Sequence, residues 1–388
     1  TVILAEGVVD GSATGDGTDI IREIENIIGT SVNDTLTGNS GDNVLLGGGG
    51  NVTRNGLGGT DTASYAGAAS AVTVNLSITG VLQATFGAGD DTLNSIENLL
   101  GSSHGDTLTG NANANVIDGG NGHDTINAGA GMDTVLGGEG NDIFIDAENG
   151  AAGNTDSYDG GSGTDTYIAT GAAWSAITEF NLMTGFQTVS GGTQRDTFAS
   201  IENLTISGSA ALVGNDQANV LIASDLLGVG NNVMFGNGGG DTIDGGGGRN
   251  GIDWRTGGDT LTGGVNGAGG DTLSYAGSLL AVTVNIGANI AADGDAAGDV
   301  ITGFENLTGS AQDDSLTGSA VANFLFGGAG RDGIFAGGGN DWLFGGAAAD
   351  QLQGDAGADW FAIDGTTSNS GDVVNDYALG EYLYFGGT

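Results

Sequence analysis

Residues 106–145 read DTLTGNANA NVIDGGNGH DTINAGAGM DTVLGGEGN DIFI, and the repeat inside this stretch decides the fold. Asp106, Asn115, Asp124, Asp133 and Asp142 stand nine residues apart. Residues 314–364 do the same: DSLTGSAVA NFLFGGAGR DGIFAGGGN DWLFGGAAA DQLQGDAGA DWFAID sets Asp314, Asn323, Asp332, Asp341, Asp350 and Asp359 at that interval. A shorter run links Asn232, Asp241, Asn250 and Asp259, and Asp156 to Asp165 is one further step.

Each nonamer has two halves with different physics. One is rich in glycine, as in Gly119, Gly120 and Gly122, and permits the tight, positive-φ backbone that a side chain opposes. The other alternates, with Leu108, Ile117, Ile126, Val135 and Phe144 each two places after the Asp or Asn. That alternation predicts a three-residue strand whose middle side chain points inward. A strand and a turn fill nine residues, so two nonamers make one two-sided coil, and successive coils stack as parallel strands about 4.8 Å apart.

Stacking puts Asp106, Asp124 and Asp142 in one column and Asp314, Asp332 and Asp350 in another, with Asn323, Asp341 and Asp359 along the opposite edge. Carboxylates at that spacing repel unless a cation lies between them. Calcium suits them, since it takes 6 to 8 oxygen ligands and the glycine turns leave backbone carbonyls beside each carboxylate. The chain has no Cys and two His, His104 and His123, which argues against zinc or copper.

The pattern resembles the repeats-in-toxin (RTX) family, whose motif is Gly-Gly-x-Gly-x-Asp-x-hydrophobic-x. Its turn is matched in full at Gly119, Gly120, Gly122 and Asp124; at Gly137, Gly138, Gly140 and Asp142; at Gly160, Gly161, Gly163 and Asp165; and at Gly327, Gly328, Gly330 and Asp332. Near matches end at Asp133, Asp241, Asp341, Asp350 and Asp359. The resemblance implies an all-β fold, a right-handed parallel β-roll or β-solenoid with calcium ions between stacked turns. It also implies export by type I secretion from a Gram-negative bacterium. Asp106, Asp259 and Asp314 share the register and join the expected metal ligands. GNSGDN (38–43), GNANAN (110–115) and GSAVAN (318–323) keep the register without the glycine pair, and weak or absent calcium sites are expected there. GGGGRN (245–250) ends in Asn250 with Arg249 beside it, and Arg255 follows, so calcium is doubtful there too.

Composition bounds the partners. Forty-eight acidic residues against six basic ones give a formal charge of −42. Such a surface repels nucleic acid and anionic headgroups, so neither nucleic acid nor membrane insertion is expected. No apolar run approaches the ~18 residues needed to span a bilayer. Leu, Ile, Val and Phe number 89 of the 388 residues. That is just above the ~20% level where disorder becomes the default, so order must come from the repeat.

A larger period lies above the nonamer. Ile24-Glu25-Asn26, Ile96-Glu97-Asn98, Ile201-Glu202-Asn203 and Phe304-Glu305-Asn306 recur, and Asp34, Asp106 and Asp314 follow three of the glutamates by nine. The glutamates are therefore expected on the ladder, as its first rung. SYAGAASAVTVNL (64–76) and SYAGSLLAVTVNI (274–286) match, and each is read as a longer strand continuing the stack. Four units follow: a partial first unit at 1–60, a regular second at 61–165, a degenerate third at 166–270, and a fourth at 271–388. The fourth holds a regular ladder (305–359) and a capping segment (360–388). They are read as segments of one continuous solenoid.

Outward positions are largely polar around Asp106, but Phe324, Phe326, Trp342, Phe344 and Trp360 form an apolar file, the candidate interface. Either the tail with Tyr377, Tyr382, Tyr384 and Phe385 folds back over it, or another subunit or partner does; carbohydrate stacking is a weaker third reading. His104 and His123 have no recognisable nucleophile motif nearby, and carboxylate pairs are everywhere, so no enzymatic activity is expected. Two functions fit. One is an extracellular structural protein, a surface-layer, fibre or adhesin-like solenoid that folds on calcium and self-associates or binds other cell-surface components. The other is a calcium-gated secretion or folding module of a larger toxin or hydrolase, favoured by the tail and by a start at Thr1 rather than Met.

Overall fold

The strand triplet is the unit from which everything else is built. In Thr107–Asn111, Val116–Asn121, Thr125–Gly129 and Thr134–Glu139 the second residue is buried completely and its neighbours face outward. The architecture comes from a computed structural model, which describes residues 1–3, 11–14, 18–21, 24–147, 155–170, 177–189, 194–207, 211–224, 233–236, 238–239, 241–244, 260–263, 265–266, 270–364, 371–377 and 380–386. The chain divides into two compact units, Thr1–Gly171 with Gly185–Ile201, and Ala172–Thr184 with Glu202–Thr388.

In the first unit one sheet stacks Asn26–Ile28, Val44–Leu46, Thr62–Ser64, Asn98–Leu100, Val116–Asn121, Thr134–Glu139, Ser157–Ser162 and Gln194–Ala199, all parallel. Its inward file is Ile27, Leu45, Ala63, Leu99, Ile117, Val135, Tyr158 and Phe198. The facing strands carry Leu36, Arg54 and Leu93, and then Val74, Leu108, Ile126, Phe144 and Tyr167. The core is thus two facing single files. Tyr158 and Tyr167 meet edge to face at 5.0 Å where the files widen to aromatic residues.

The second unit repeats the plan. One sheet aligns Leu204, Leu221, Ile243, Leu273, Leu307, Leu325, Leu343, Phe361 and Leu383. Facing it are Phe180, Leu212, Met234, Leu261 and Ile301, then Val284, Leu316, Ile334, Leu352 and Val374. Each unit is a parallel β-roll. Among the described residues the helical content is one 3₁₀ turn, Gly294–Ala296, and no helix is long and apolar enough to cross a membrane.

The long strands expected at 64–76 and 274–286 are short. Thr73–Asn75 and Thr283–Asn285 each start a fresh parallel stack, because a hairpin or turn leaves the roll beside them. In the first unit that excursion is the antiparallel pair Leu82–Phe86 and Gly89–Asn94, whose second strand continues the stack of Thr53–Asn55.

The glycine register has a steric cause. Gly138 lies at φ 107°, and a Cβ there would strike the Gly120 carbonyl one coil below. Gly138→Ala is therefore expected to cost roughly 1–3 kcal/mol in denaturant unfolding with calcium present. Gly67→Ala, where a Cβ meets nothing within 4 Å, is the control and should stay within about 0.5 kcal/mol.

Candidate metal centre

The turns hold each ladder carboxylate in one pose. Its Oδ1 accepts the backbone N–H of the rung one coil earlier: Asp106 N–H to Asp124 at 2.7 Å, Asp124 to Asp142 at 2.8 Å, and Asp142 to Asp165 at 2.7 Å. On the opposite edge Asn115 donates to Asp133 and Asp133 to Asp156. In the second unit Asp314 donates to Asp332, Asp332 to Asp350, Asn323 to Asp341, Asp341 to Asp359, and Asn219 to Asp241. The aspartates are therefore structural before any ion arrives, since they close adjacent coils by accepting N–H groups that the turns leave over.

The second oxygen has a different fate. Oδ2 of Asp124, Asp133, Asp142, Asp241, Asp332, Asp341, Asp350 and Asp359 is buried with no hydrogen-bond partner among the described residues. A Cβ built on Gly119 would meet both Asp124 Oδ2 and the Gly137 carbonyl oxygen. Gly137 stands the same way to Asp142 Oδ2 and the Gly160 carbonyl, and Gly327 to Asp332 Oδ2 and the Gly345 carbonyl. Two acceptors thus converge on one small space that glycine leaves open. At Ala128 and Ala336, in the turns before Asp133 and Asp341, a methyl group stands at that motif position.

This environment disfavours charge. Burial, reinforced by Asp142 and Asp106 and opposed by the accepted N–H, pushes the Asp124 carboxyl up to about 7. Burial likewise raises Asp332 to about 7, and Asp133, Asp241 and Asp341 to about 6. A hard cation would relieve all of this at once, supplying positive charge to carboxylate oxygens that have no donor and to the carbonyl oxygens beside them. Among the described residues no three acidic or histidine side chains gather in one cluster, so an ion here would take its remaining oxygens from backbone carbonyls. The donor set fits calcium.

Not every rung is alike. Asp106 and Asp314, expected as ligands, have both oxygens engaged. Ser102 N–H lies 2.5 Å and Ser310 N–H 2.6 Å from their Oδ2, and each serine hydroxyl donates to Oδ1. At Asp34 the N–H and hydroxyl of Thr30 both donate to Oδ2. The Asn rungs close themselves. Oδ1 of Asn115, Asn219 and Asn323 accepts the N–H four residues back, and Nδ2 donates to the carbonyls of Glu97, Glu202 and Glu305. Glu97 and Glu305 do stand on the ladder, but as interior rungs, for their Oε2 accepts the N–H of Asp61 and Asp271 one coil earlier. Asp259, Asn232, Asn250, Arg249 and Arg255 lie outside the described residues. Asp61, Asp91, Asp271 and Asp372 also occupy rungs; Asp61 keeps the interval, eighteen after Asn43, and the nine-residue count misses the other three because insertions break it. An Asp-Thr-apolar triplet, at 61–63, 91–93 and 271–273, would have found three of them.

Against known families, the model of the RTX calcium-binding nonapeptide repeat matches residues 24–53, 100–135, 119–145, 228–252, 299–334 and 335–362. The chain carries RTX-type repeats. RTX repeats bind calcium and are typical of proteins secreted by Gram-negative bacteria. Among curated proteins no match to this RTX chain was found. The matched segments contain both regular runs of the ladder, and with them the buried unpaired carboxylate oxygens of Asp124, Asp142, Asp332, Asp341 and Asp350.

A second feature of the RTX chain lies on the outer face of Phe324–Ala329, Trp342–Ala347, Trp360–Asp364 and Tyr382–Gly386. Phe324, Trp342, Trp360 and Tyr382 are in register, as are Phe326 and Phe344. Trp342 and Trp360 stack at 4.9 Å and 1°, Trp360 and Tyr382 at 4.3 Å, and Phe326 and Phe344 at 5.0 Å. The described end of the tail does not fold back over this file: Tyr382–Gly386 pairs in parallel with Trp360–Asp364 and lengthens it. Phe324 (49%), Trp342 (44%) and Tyr382 (50%) stay exposed.

Proposed function

We propose that this chain is an extracellular structural protein that closes its rolls on calcium after secretion and then self-associates through the aromatic file. It carries out no catalysis of its own. The observation that supports this reading is the file of exposed Phe324, Trp342 and Tyr382 with half-buried Trp360 between them, extended by Tyr382. A file of that size is a contact surface on a secreted protein. The rings of Trp342, Trp360 and Tyr382 stack face to face, so what these three turn outward is mainly their edges. Sugar binding by stacking needs a free ring face, so protein–protein contact is the better use of this geometry.

Light scattering of the full chain, with chelator and then with millimolar calcium, tests the proposal. The expected result is growth in mass with calcium, and a Trp342→Ser/Tyr382→Ser variant that folds on calcium yet stays monomeric. A wild-type chain that remains monomeric in calcium would favour the secretion-module reading. Unchanged growth in the variant would remove the aromatic file as the interface.

A further inference from the structure

Arg54 stands where this fold has no evident use for a charge. It is the centre of the triplet Thr53–Asn55, in register between Leu36 and Leu93, and is completely buried. A cation inside an apolar file costs heavily unless it is paired and hydrogen-bonded. Arg54 Nη1 lies 2.6 Å from Asp91 Oδ2, with neither side chain exposed. The same nitrogen is 3.3 Å from the Tyr65 hydroxyl, Nε donates to the Leu45 carbonyl at 3.2 Å, and the guanidinium carbon sits 4.5 Å from the centre of the Tyr65 ring. Gly47 makes the room, since a Cβ there would collide with Nη2.

Asp91 is itself a rung. Its Oδ1 accepts the Val52 N–H at 2.8 Å, as Asp106 accepts that of Val72 and Asp124 that of Asp106. What differs is the other oxygen. At Asp124, Asp142, Asp332 and Asp350 Oδ2 is buried and unpaired, whereas at Asp91 it holds the guanidinium and, at 3.3 Å, the Thr85 hydroxyl.

We infer that Arg54 is a built-in cation, which neutralises the Asp91 rung in place of calcium and lets the coils joined by Val44–Leu46, Thr53–Asn55 and Gly89–Asn94 hold together without metal. The ladder would then start from a preformed segment. Its regular runs, with no such side chain, would wait for the ion.

Hydrogen exchange by mass spectrometry on the full chain, in chelator and in calcium, tests this. In chelator the amides of Thr53–Asn55 and Gly89–Asn94 are expected to exchange at least roughly tenfold more slowly than those of Thr125–Gly129 and Gly333–Gly337. Equal rates in the wild-type chain overturn the inference. Arg54→Leu, which restores the apolar file, is expected to lose that protection in chelator and regain it in calcium, as Asp91 becomes an ordinary rung. Protection in chelator that survives Arg54→Leu also overturns it. Should Arg54→Leu not fold in either condition, Arg54→Leu/Asp91→Asn removes both charges and keeps an acceptor for the Val52 N–H. That double variant should be protected in chelator, and its loss of protection there would mean that charge neutralisation is not what spares this rung.

Discussion

Chelating calcium is expected to open both regular runs of the ladder, with loss of most of the β-strand circular dichroism and a large increase in hydrodynamic radius. A site occupied at a hundred times its dissociation constant contributes about 2.7 kcal/mol. A typical domain has only about 5–15 kcal/mol of net stability, so two or three such sites decide whether a unit stays closed. Ten described ladder aspartates present a buried, unpaired oxygen in this structure, and the facing apolar files are one side chain wide. The glycine turns add to the entropy that folding must overcome. Asp332→Ala removes both the acceptor of the Asp314 N–H and one of those oxygens, so it should shift the calcium midpoint of the second unit upward. A chelated chain with its full β signal, or an Asp332→Ala chain with an unmoved midpoint, would sink this account.

The second large effect is on the calcium-free chain and runs with pH. Burial raises the carboxyls of Asp124 and Asp332 from 3.8 to about 7, and those of Asp61, Asp133, Asp241 and Asp341 to about 6. A group whose folded value is raised binds its proton more tightly when folded. Its contribution is complete below about 3.8 and is lost as pH rises through 6 to 7. In chelator, then, the rolls should be more ordered at pH 5 than at pH 8, with the change falling between about 4 and 7, and calcium at pH 8 should restore what the proton gave. High salt at pH 8 separates this from general repulsion among the 48 acidic residues. It screens exposed charges and leaves buried carboxylates unprotonated, so it should restore little. A chelated chain equally ordered at both pH values would contradict the assignment.

Where the interval held at nine, the sequence was enough to place strand, turn and carboxylate. Leu108, Ile117, Ile126, Val135 and Phe144 all lie inward, and Asp124 and Asp332 sit under the glycine pairs that make room for them. What escaped was whatever the interval does not encode. Asp91 and Asp271 were hidden because 39 and 30 residues, rather than eighteen, separate them from Val52 and Asp241 one coil earlier, whereas Asp61, eighteen after Asn43, keeps the interval and was legible. The hairpin Leu82–Phe86 and Gly89–Asn94 was hidden because Val72, Val74 and Leu76 alternate as a longer strand would. Arg54 is the centre of its triplet, two places after position 52, but the ion pair that lets it lie inward is not visible because Asp91 is 37 positions away. The phenolic and phenyl rings of Tyr377, Tyr382, Tyr384 and Phe385 suggested a cover for the aromatic file, and only the parallel register of Tyr382 on Trp360 reveals an extension.

The hydrogen bond between rungs also runs one way. Asp106 gives its N–H to Asp124, and Asp124 gives its own to Asp142; in the second unit Asp314 gives to Asp332 and Asp332 to Asp350. Every column is therefore polar, with carboxylate acceptors directed toward its beginning and amide donors toward its end. A further coil can prolong it past the last rung only by bringing an acceptor, and ahead of the first rung only by bringing a donor. Two identical ends cannot complete one another, so growth along such a column is head to tail.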